Sequence, residues 1–299
     1  MKWLLLAVVL LALGFTEELY RYIFCSRSSW LFTKLFDSKG HLPAYYEYER
    51  MRNEKMKKIP CRTLTLQGRR GETLKGFFYD NGAQGQKIAF VVHGYRSNHQ
   101  DTGGIVYDYY KSRGFDVFAP DHTAEGESGG HFIGFDVLES RDCHRWIDLL
   151  KKEYGEDIQI VLHGFSMGAA TVMQMSSHCP ANVKFIAEDS GYENAYSAMV
   201  HQVLFMYHPL RFINRILAGY DWNDSDVKES LANSRIPMLF FHGQDDKLVP
   251  YENGPKLYKL YERPKDCLFP EKTRHIECFY TSTRACARKL DSFMEKYID

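Results

Sequence analysis

The sequence has no surplus of charge. Lys plus Arg and Asp plus Glu number 38 each in 299 residues, and no long basic block occurs. A phosphate backbone would therefore meet no net positive field, and nucleic acid is not expected as a partner. No two of the seven cysteines are spaced C-x-x-C, so neither a zinc knuckle nor a thioredoxin-like site is signalled. The cysteines are expected to serve as small buried hydrophobes. No H-E-x-x-H occurs, and no G-x-x-x-x-G-K-[ST] or G-x-G-x-x-G, which removes the usual marks of a zinc hydrolase and of a nucleotide site. Internal repeats and low-complexity tracts are absent too. What is abundant is core material, 44% apolar residues against 25% charged, enough for one large domain or two small ones.

The first 15 residues stand apart. In MKWLLLAVVLLALGF a lysine precedes an apolar run from Trp3 to Phe15. This run is short for a bilayer span of about 20 residues and fits a secretory h-region. Residues 1–15 are expected to be a signal peptide or a signal-anchor, with a buried N-terminal helix as the remaining alternative. Either of the first two puts the rest of the chain outside the cytoplasm and implies membrane association through this segment, although an odd cysteine count fits export less comfortably. Residues 16–59 mix aromatics with charge and read as a helical lead-in packed on the main domain, which is expected over 60–299.

Within that domain, CRTLTLQ (61–67) and TLKGFFYD (73–80) flank a Gly-bearing turn, the pattern of a hairpin. From KIAFVVHG (87–94) the pattern changes to short runs that are apolar on both faces: FDVFAPD (115–121), DIQIVLHG (157–164), VKFIAED (183–189) and IPMLFFHG (236–243). Such runs suit parallel strands covered by helices. Helical periodicity recurs between them at 137–154, at 251–262 and in the C-terminal TRACARKLDSFMEKYI. The fold class expected is α/β, a mostly parallel sheet with right-handed crossovers. The connection between 189 and 236 is long for one crossover and reads as a small helical cap over about 191–234.

Gly164-Phe165-Ser166-Met167-Gly168 lies between a strand and a helix. In such a strand–turn–helix the serine takes strained backbone angles, and a side chain at either glycine would collide with neighbouring backbone. The helix start then aims its free N–H groups at the serine oxygen. A hydroxyl needs a base to take its proton. Downstream, Gln244-Asp245-Asp246 follows the run 236–243, and His275 follows KDCLFPEKTR. Ser166, Asp246 and His275 thus keep the order nucleophile, acid, base, with Asp246 orienting and stabilising the imidazolium. Asp245 and Asp189 are rival acids. His163 and His242 read as structural, His242 as a support for the acid loop, while His201 and His208 fall in the cap. The two oxyanion donors are expected to be the backbone N–H groups of Met167 and Tyr95, with the Tyr95 ring, Phe205, Met206 and Phe212 as candidate lining of an apolar substrate pocket.

Taken together, HGYRSN (93–98), Asp121 with GESGG (126–130), LHGFSMGAAT (162–171), HGQDDKLVP (242–250) and RHIECF (274–279) resemble the α/β-hydrolase superfamily. The nearest pattern is that of bacterial signal-anchored or exported serine hydrolases of the serine aminopeptidase-like group. The resemblance implies esterase-type acyl transfer on a small-molecule acyl substrate with no cofactor, and carries the triad and oxyanion roles over to the same residues. One departure is visible. Relatives usually show D-x-R-G-H-G-x-S-x-G after the fourth strand, where this chain has DHTAEGESGG, with Thr123 and Glu125 in place of Arg and His. Carboxylic ester hydrolysis is the first expectation. A peptidase or amidase with Glu193 as a terminus anchor, a thioesterase, and a non-catalytic binding protein on the same fold are the alternatives.

Overall fold

The computed structural model describes residues 14–25, 43–198 and 206–298. Its centre is an eight-stranded sheet in the order β1-β2-β4-β3-β5-β6-β7-β8. Strands β1 (Arg62–Gln67) and β2 (Thr73–Tyr79) form the expected antiparallel hairpin, and β2 runs antiparallel to β4 (Asp116–Pro120) as well. All remaining pairs, through β3 (Lys87–Val92), β5 (Gln159–Phe165), β6 (Val183–Asp189), β7 (Met238–Phe241) and β8 (Lys265–Leu268), are parallel.

The parity of the apolar strand residues explains the two layers. Ile88, Phe90, Val92, Ile160 and Leu162 point to one face, where they pack with Trp146, Ile147 and Leu150 of α4 (Val137–Tyr154), Val172 of α5 (Met167–Met175), Leu231 of α7 (Val227–Asn233) and Leu257 of α8 (Asn253–Leu260). Ala89, Val91, Val161 and Phe165 point to the other, against Val106 and Tyr110 of α3 (His99–Lys111) and Leu290 and Phe293 of α9 (Thr283–Tyr297). A strand covered on both sides keeps apolar residues at consecutive positions, so these strands read as continuous runs.

A third apolar cluster lies over the strands' C-terminal ends. It joins helix α1 (residues 14–24) through Tyr20 and Phe24 to α6 (Tyr207–Leu217) through Leu210, and to Trp222, Tyr192 and Met167. The region read as a cap therefore divides. Its α6 part covers the sheet end, while Val227 and Leu231 of α7 belong to the first sheet layer as crossover material. The lead-in divides as well. Helix α2 (Pro43–Met56) packs on α3, with the Arg52 guanidinium donating to the Gly104 carbonyl at 2.7 Å, whereas α1 joins the cap cluster. Most of the apolar N-terminal run falls outside the described residues; among those described, no helix is long and apolar enough to cross a membrane. Cys143, Cys278 and Cys286 are buried as expected, but Cys61, just ahead of β1, is exposed.

Candidate active site

The site is assembled from the loops at the C-terminal ends of β3, β4, β5, β7 and β8. Ser166 stands between β5 and α5 with φ 55° and ψ −117°, a region that costs a non-glycine residue on the order of 1–3 kcal/mol. Its surroundings hold it there. The Ser166 N–H donates to the Asp189 carbonyl at 2.8 Å. Gly164 and Gly168 are packed so closely that a Cβ on either would overlap backbone, the Gly168 carbonyl in the first case and the Val92 carbonyl in the second. The helix that follows has no intrahelical acceptor for its first N–H groups, Met167 among them.

His275 Nε2 lies 2.8 Å from Ser166 Oγ, and His275 Nδ1 lies 2.7 Å from Asp246 Oδ2. The carboxylate accepts only, so Nδ1 carries the proton and Nε2 is left to accept from the serine hydroxyl. Burial would raise the Asp246 pKa, but the charge of His275 and hydrogen bonds from His242 and His275 hold it well below the usual carboxylate range. The other oxygen of Asp246 accepts the N–H groups of Leu248 at 2.9 Å and Val249 at 3.0 Å, which fixes the loop.

The rivals for these roles lie elsewhere. Asp245 is exposed. Asp189 is buried with its carboxylate accepting from the Ser190 hydroxyl at 2.9 Å, and burial pushes its pKa up to about 6. His163 is a core residue beside Phe165, with Nδ1 2.9 Å from the Tyr110 hydroxyl, and burial lowers its pKa to about 3. His242 does contact the acid. Its Nε2 is 3.1 Å from the Val249 carbonyl and 3.3 Å from Asp246 Oδ2. His208 is exposed on α6, and His201 lies outside the described residues.

The turn after β3 meets the serine directly. A Cβ on Gly94 would come within 3.1 Å of Ser166 Cβ, so the glycine permits the close approach of this turn to the nucleophile. The strand end behind it is braced by two histidines that sequence reasoning did not assign. The His122 N–H donates to His93 Nε2 at 2.9 Å, His93 Nδ1 lies 2.7 Å from the Gly94 carbonyl, and burial lowers the His93 pKa to about 4, so the ring is neutral.

Of the candidate pocket residues, Tyr95 and Met206 pack against the same cap cluster and Phe212 stands apart. Phe205 lies outside the described residues. The Tyr95 hydroxyl donates to the Ile23 carbonyl at 2.8 Å, and the ring packs near Phe135. Met206 is half-buried against the cap cluster, and Phe212 is 65% exposed on the outer face of α6. An amphipathic helix places some apolar residues on each side of its seam, and composition alone does not say which side faces inward. A pocket of about 580 Å³ opens between Arg69, Arg70, Thr123, Phe132, Arg141 and Ala218, and neither the triad nor any of these candidates lines it. Glu193 is already committed, to Lys228 Nζ at 3.1 Å and to Lys256.

Comparisons with known proteins agree with this architecture. Residues 83–188 match the family described as "Serine aminopeptidase, S33", and residues 147–276 match "Serine hydrolase (FSH1)". Among curated proteins, the chain is 26% identical to the "Uncharacterized protein YqkD" of Bacillus subtilis over 62% of this chain, a match that spans only 64% of that protein. It is 25% identical to the "Lysophosphatidylserine lipase ABHD12" of Macaca fascicularis over 62% of this chain and 48% of that one. Among solved structures, the esterase Pf2001 of Pyrococcus furiosus superposes with a TM-score of 0.67 at 19% identity, covering 82% of this chain and 95% of its own. A thermostable carboxyl esterase from Bacillus coagulans gives 0.62 at 15% identity, covering 81% and 100%. The strand order and the likeness to the solved esterases give the chain the α/β-hydrolase fold, and two stretches of it resemble serine-hydrolase families.

Proposed function

We propose that the protein hydrolyses carboxylic esters through Ser166, His275 and Asp246 and an acyl-enzyme intermediate. The observation that carries the reading is the continuous contact from Asp246 through His275 to Ser166, at 2.7 and 2.8 Å, on a serine held in a strained turn at a helix start. Ser166 Oγ attacks the ester carbonyl as its proton passes to Nε2 of His275. The Met167 and Tyr95 N–H groups take the negative charge that develops on the carbonyl oxygen. His275 then protonates the leaving alkoxide. Water, deprotonated by the same ring, cleaves the acyl-enzyme and returns Ser166. Asp246, held ionised, stabilises the imidazolium in both halves.

An amide or peptide substrate is supported less well. A free amino terminus needs an unpaired carboxylate near the serine, and Glu193, the residue suggested for that task, is neutralised by two lysines. The apolar run from Trp3 to Phe15 is proposed to direct the chain to a membrane or out of the cytoplasm, which fractionation of the expressing cells checks.

The test is a panel of aryl esters of increasing acyl length with one aminoacyl anilide, run on wild type and Ser166→Ala. Short esters should be cleaved by wild type, and Ser166→Ala should lose at least about 10⁴-fold in kcat, in line with removal of a nucleophile that acts as a unit with its base. Cleavage of the anilide alone would replace the ester reading with the peptidase one. A folded wild type that cleaves nothing and does not react with a fluorophosphonate would end both.

A further inference from the structure

Resting on that reading, the oxyanion donor on Tyr95 raises a question of support. Its N–H belongs to a turn closed by the Ser97 N–H on the Gly94 carbonyl at 3.3 Å, a long bond. The next residue, Arg96, sits at φ 55°, which an arginine adopts only where its surroundings demand it. An oxyanion donor is useful only if it is already aimed when charge develops, and a misplacement near 1 Å is costly.

Two sets of contacts supply the demand, from opposite sides. Glu125 lies in the loop after β4, is buried, and accepts the Arg96 N–H with Oε1. Its Oε2 has no hydrogen-bond partner among the described residues. A buried carboxyl group, its pKa pushed well up by burial, that spends one oxygen on a single backbone N–H is an expensive way to fill space, and this one sits on the residue following the oxyanion donor. On the far side, α1 ends over the same turn. The Tyr95 hydroxyl is 2.8 Å from the Ile23 carbonyl and 3.3 Å from that of Tyr22, and the Arg96 guanidinium donates to the Tyr22 carbonyl while lying 4.5 Å from the Tyr22 ring. The last carbonyls of a helix carry partial negative charge, which suits a guanidinium. Helix α1 is anchored in turn, by the Tyr20 hydroxyl on Asn214 at 3.2 Å, by Phe24 against Trp222, and by the Ile133 N–H on the Phe24 carbonyl at 2.8 Å.

We propose that Glu125 and the C-terminal carbonyls of α1 form a two-sided clamp on the 94–97 turn, and that Glu125 and the Tyr95 hydroxyl are positioning groups for the oxyanion donor. Neither touches the reacting atoms. Helix α1, which precedes the sheet by some forty residues, is on this account a working part of the hydrolytic site.

The test uses the full chain with Glu125→Ala, Glu125→Gln and Tyr95→Phe beside wild type. It reads kcat and KM on a short aryl ester, the affinity of an alkylboronic acid as a tetrahedral-anion mimic, and thermal stability. Loss of a whole oxyanion donor costs about 10²–10³ in kcat, so a donor left in place but poorly aimed should cost about 10-fold or more in Glu125→Ala, with KM little changed and boronate affinity falling in parallel. Glu125→Gln keeps an oxygen that accepts the Arg96 N–H and should restore most of the rate. Tyr95→Phe, which keeps the ring and its packing, should fall in the same two readouts by a smaller factor. A folded Glu125→Ala with unchanged kcat overturns the clamp, as does a loss of rate with boronate affinity intact, or a Glu125→Gln as impaired as the alanine variant. If Glu125→Ala does not fold, unchanged kcat and boronate affinity in Tyr95→Phe overturn it. An inert wild type that also fails to take a fluorophosphonate at Ser166 removes the hydrolase reading itself, a result distinct from all of these.

Discussion

At the scale of single residues, the choice between two adjacent aspartates illustrates how position decides chemistry. Asp245 and Asp246 are identical side chains one residue apart, yet one is in water and the other is buried among two imidazoles and two backbone N–H groups. An ionised carboxylate survives burial only with such company. Replacing Asp246 with Asn leaves the size but supplies a neutral group whose amide can present a donor to Nδ1, and kcat should fall by about 10⁴-fold, as when the acid of a comparable triad is so replaced. Asp245→Asn should stay within about twofold of wild type, since surface changes away from such networks are nearly neutral. Steady-state kinetics on both variants checks the pair, and equal losses would contradict the assignment. The order of Ser166, Asp246 and His275 was legible in the sequence because Ser166 and Asp246 each follow an apolar run at a strand's end and His275 follows the turn after the last strand. Glu125 was visible only as a departure from a pattern. Its contact with the Arg96 N–H depends on how two loops 29 residues apart meet, which no local signal carries. The contact of the Tyr95 hydroxyl with α1 was not legible for the same reason: nothing local announces that α1 will lie over it.

Elements show where a local pattern suffices and where it does not. The strand–turn–helix around Ser166 is written in its glycines, because their need is local and steric. Gly168 abuts the Val92 carbonyl, so Gly168→Ala forces either the elbow or the neighbouring strand to move. Overpacking of this kind costs about 1–3 kcal/mol or more. The variant should melt at a lower temperature and lose esterase activity as well, because the shift falls on the oxyanion side of Ser166; calorimetry and the ester assay check the two together. Helix α3 was not legible. Its sequence HQDTGGIVYDYYK carries Gly103 and Gly104 in mid-helix, which argues against helix on propensity. Packing explains the exception: a Cβ on Gly104 would stand 3.2 Å from Met56 Cγ and 3.3 Å from Arg52 Cβ, so the pair admits α2 at close range. The start of α3 is secured by other means, with the Asn98 side chain accepting the N–H groups of Gln100 and Asp101 and Asp121 accepting that of His99 at 2.7 Å. The cap was legible as an insertion and not as a surface, since α6 is apolar on more than one side and only the folded sheet end determines which side is covered.

For the whole molecule, the distribution of buried ionisable groups makes stability depend on pH in a specific direction. Burial pushes the pKa of Glu188 up to about 8, that of Glu139 to about 7 and that of Asp189 to about 6. Each is raised above its value in an unfolded chain, so each contributes fully at low pH and its contribution is lost as pH rises through the folded value. His242 acts in the same sense. Burial lowers its pKa, but the hydrogen bond and charge of Asp246, with Glu188, outweigh that and raise it. His163 and His93 act oppositely. Their pKa values are depressed by burial to about 3 and about 4, so their contribution is present above the ordinary histidine value near 6.5 and is lost as pH falls. Asp246, held low, adds to that acid limb. Between about pH 4.5 and 6.5 the two sets oppose one another; above 6.5 only the first set still changes. The melting temperature should therefore decline from pH 6.5 to 9 rather than hold level, and Glu188→Gln, which accepts the Gly191 N–H with its amide oxygen as Glu188 does with Oε2, should flatten that decline. Calorimetric scans of both proteins across this range decide it, and a wild-type melting temperature that rises from pH 6.5 to 8.5 would show that the carboxyl groups beneath the site are not held protonated by the fold. The groups concerned lie at the strand ends that carry the site, on β6 and in the loop and helix beside the cap, so the cost of burying them is borne by the same part of the molecule that aims Ser166, His275 and the oxyanion turn.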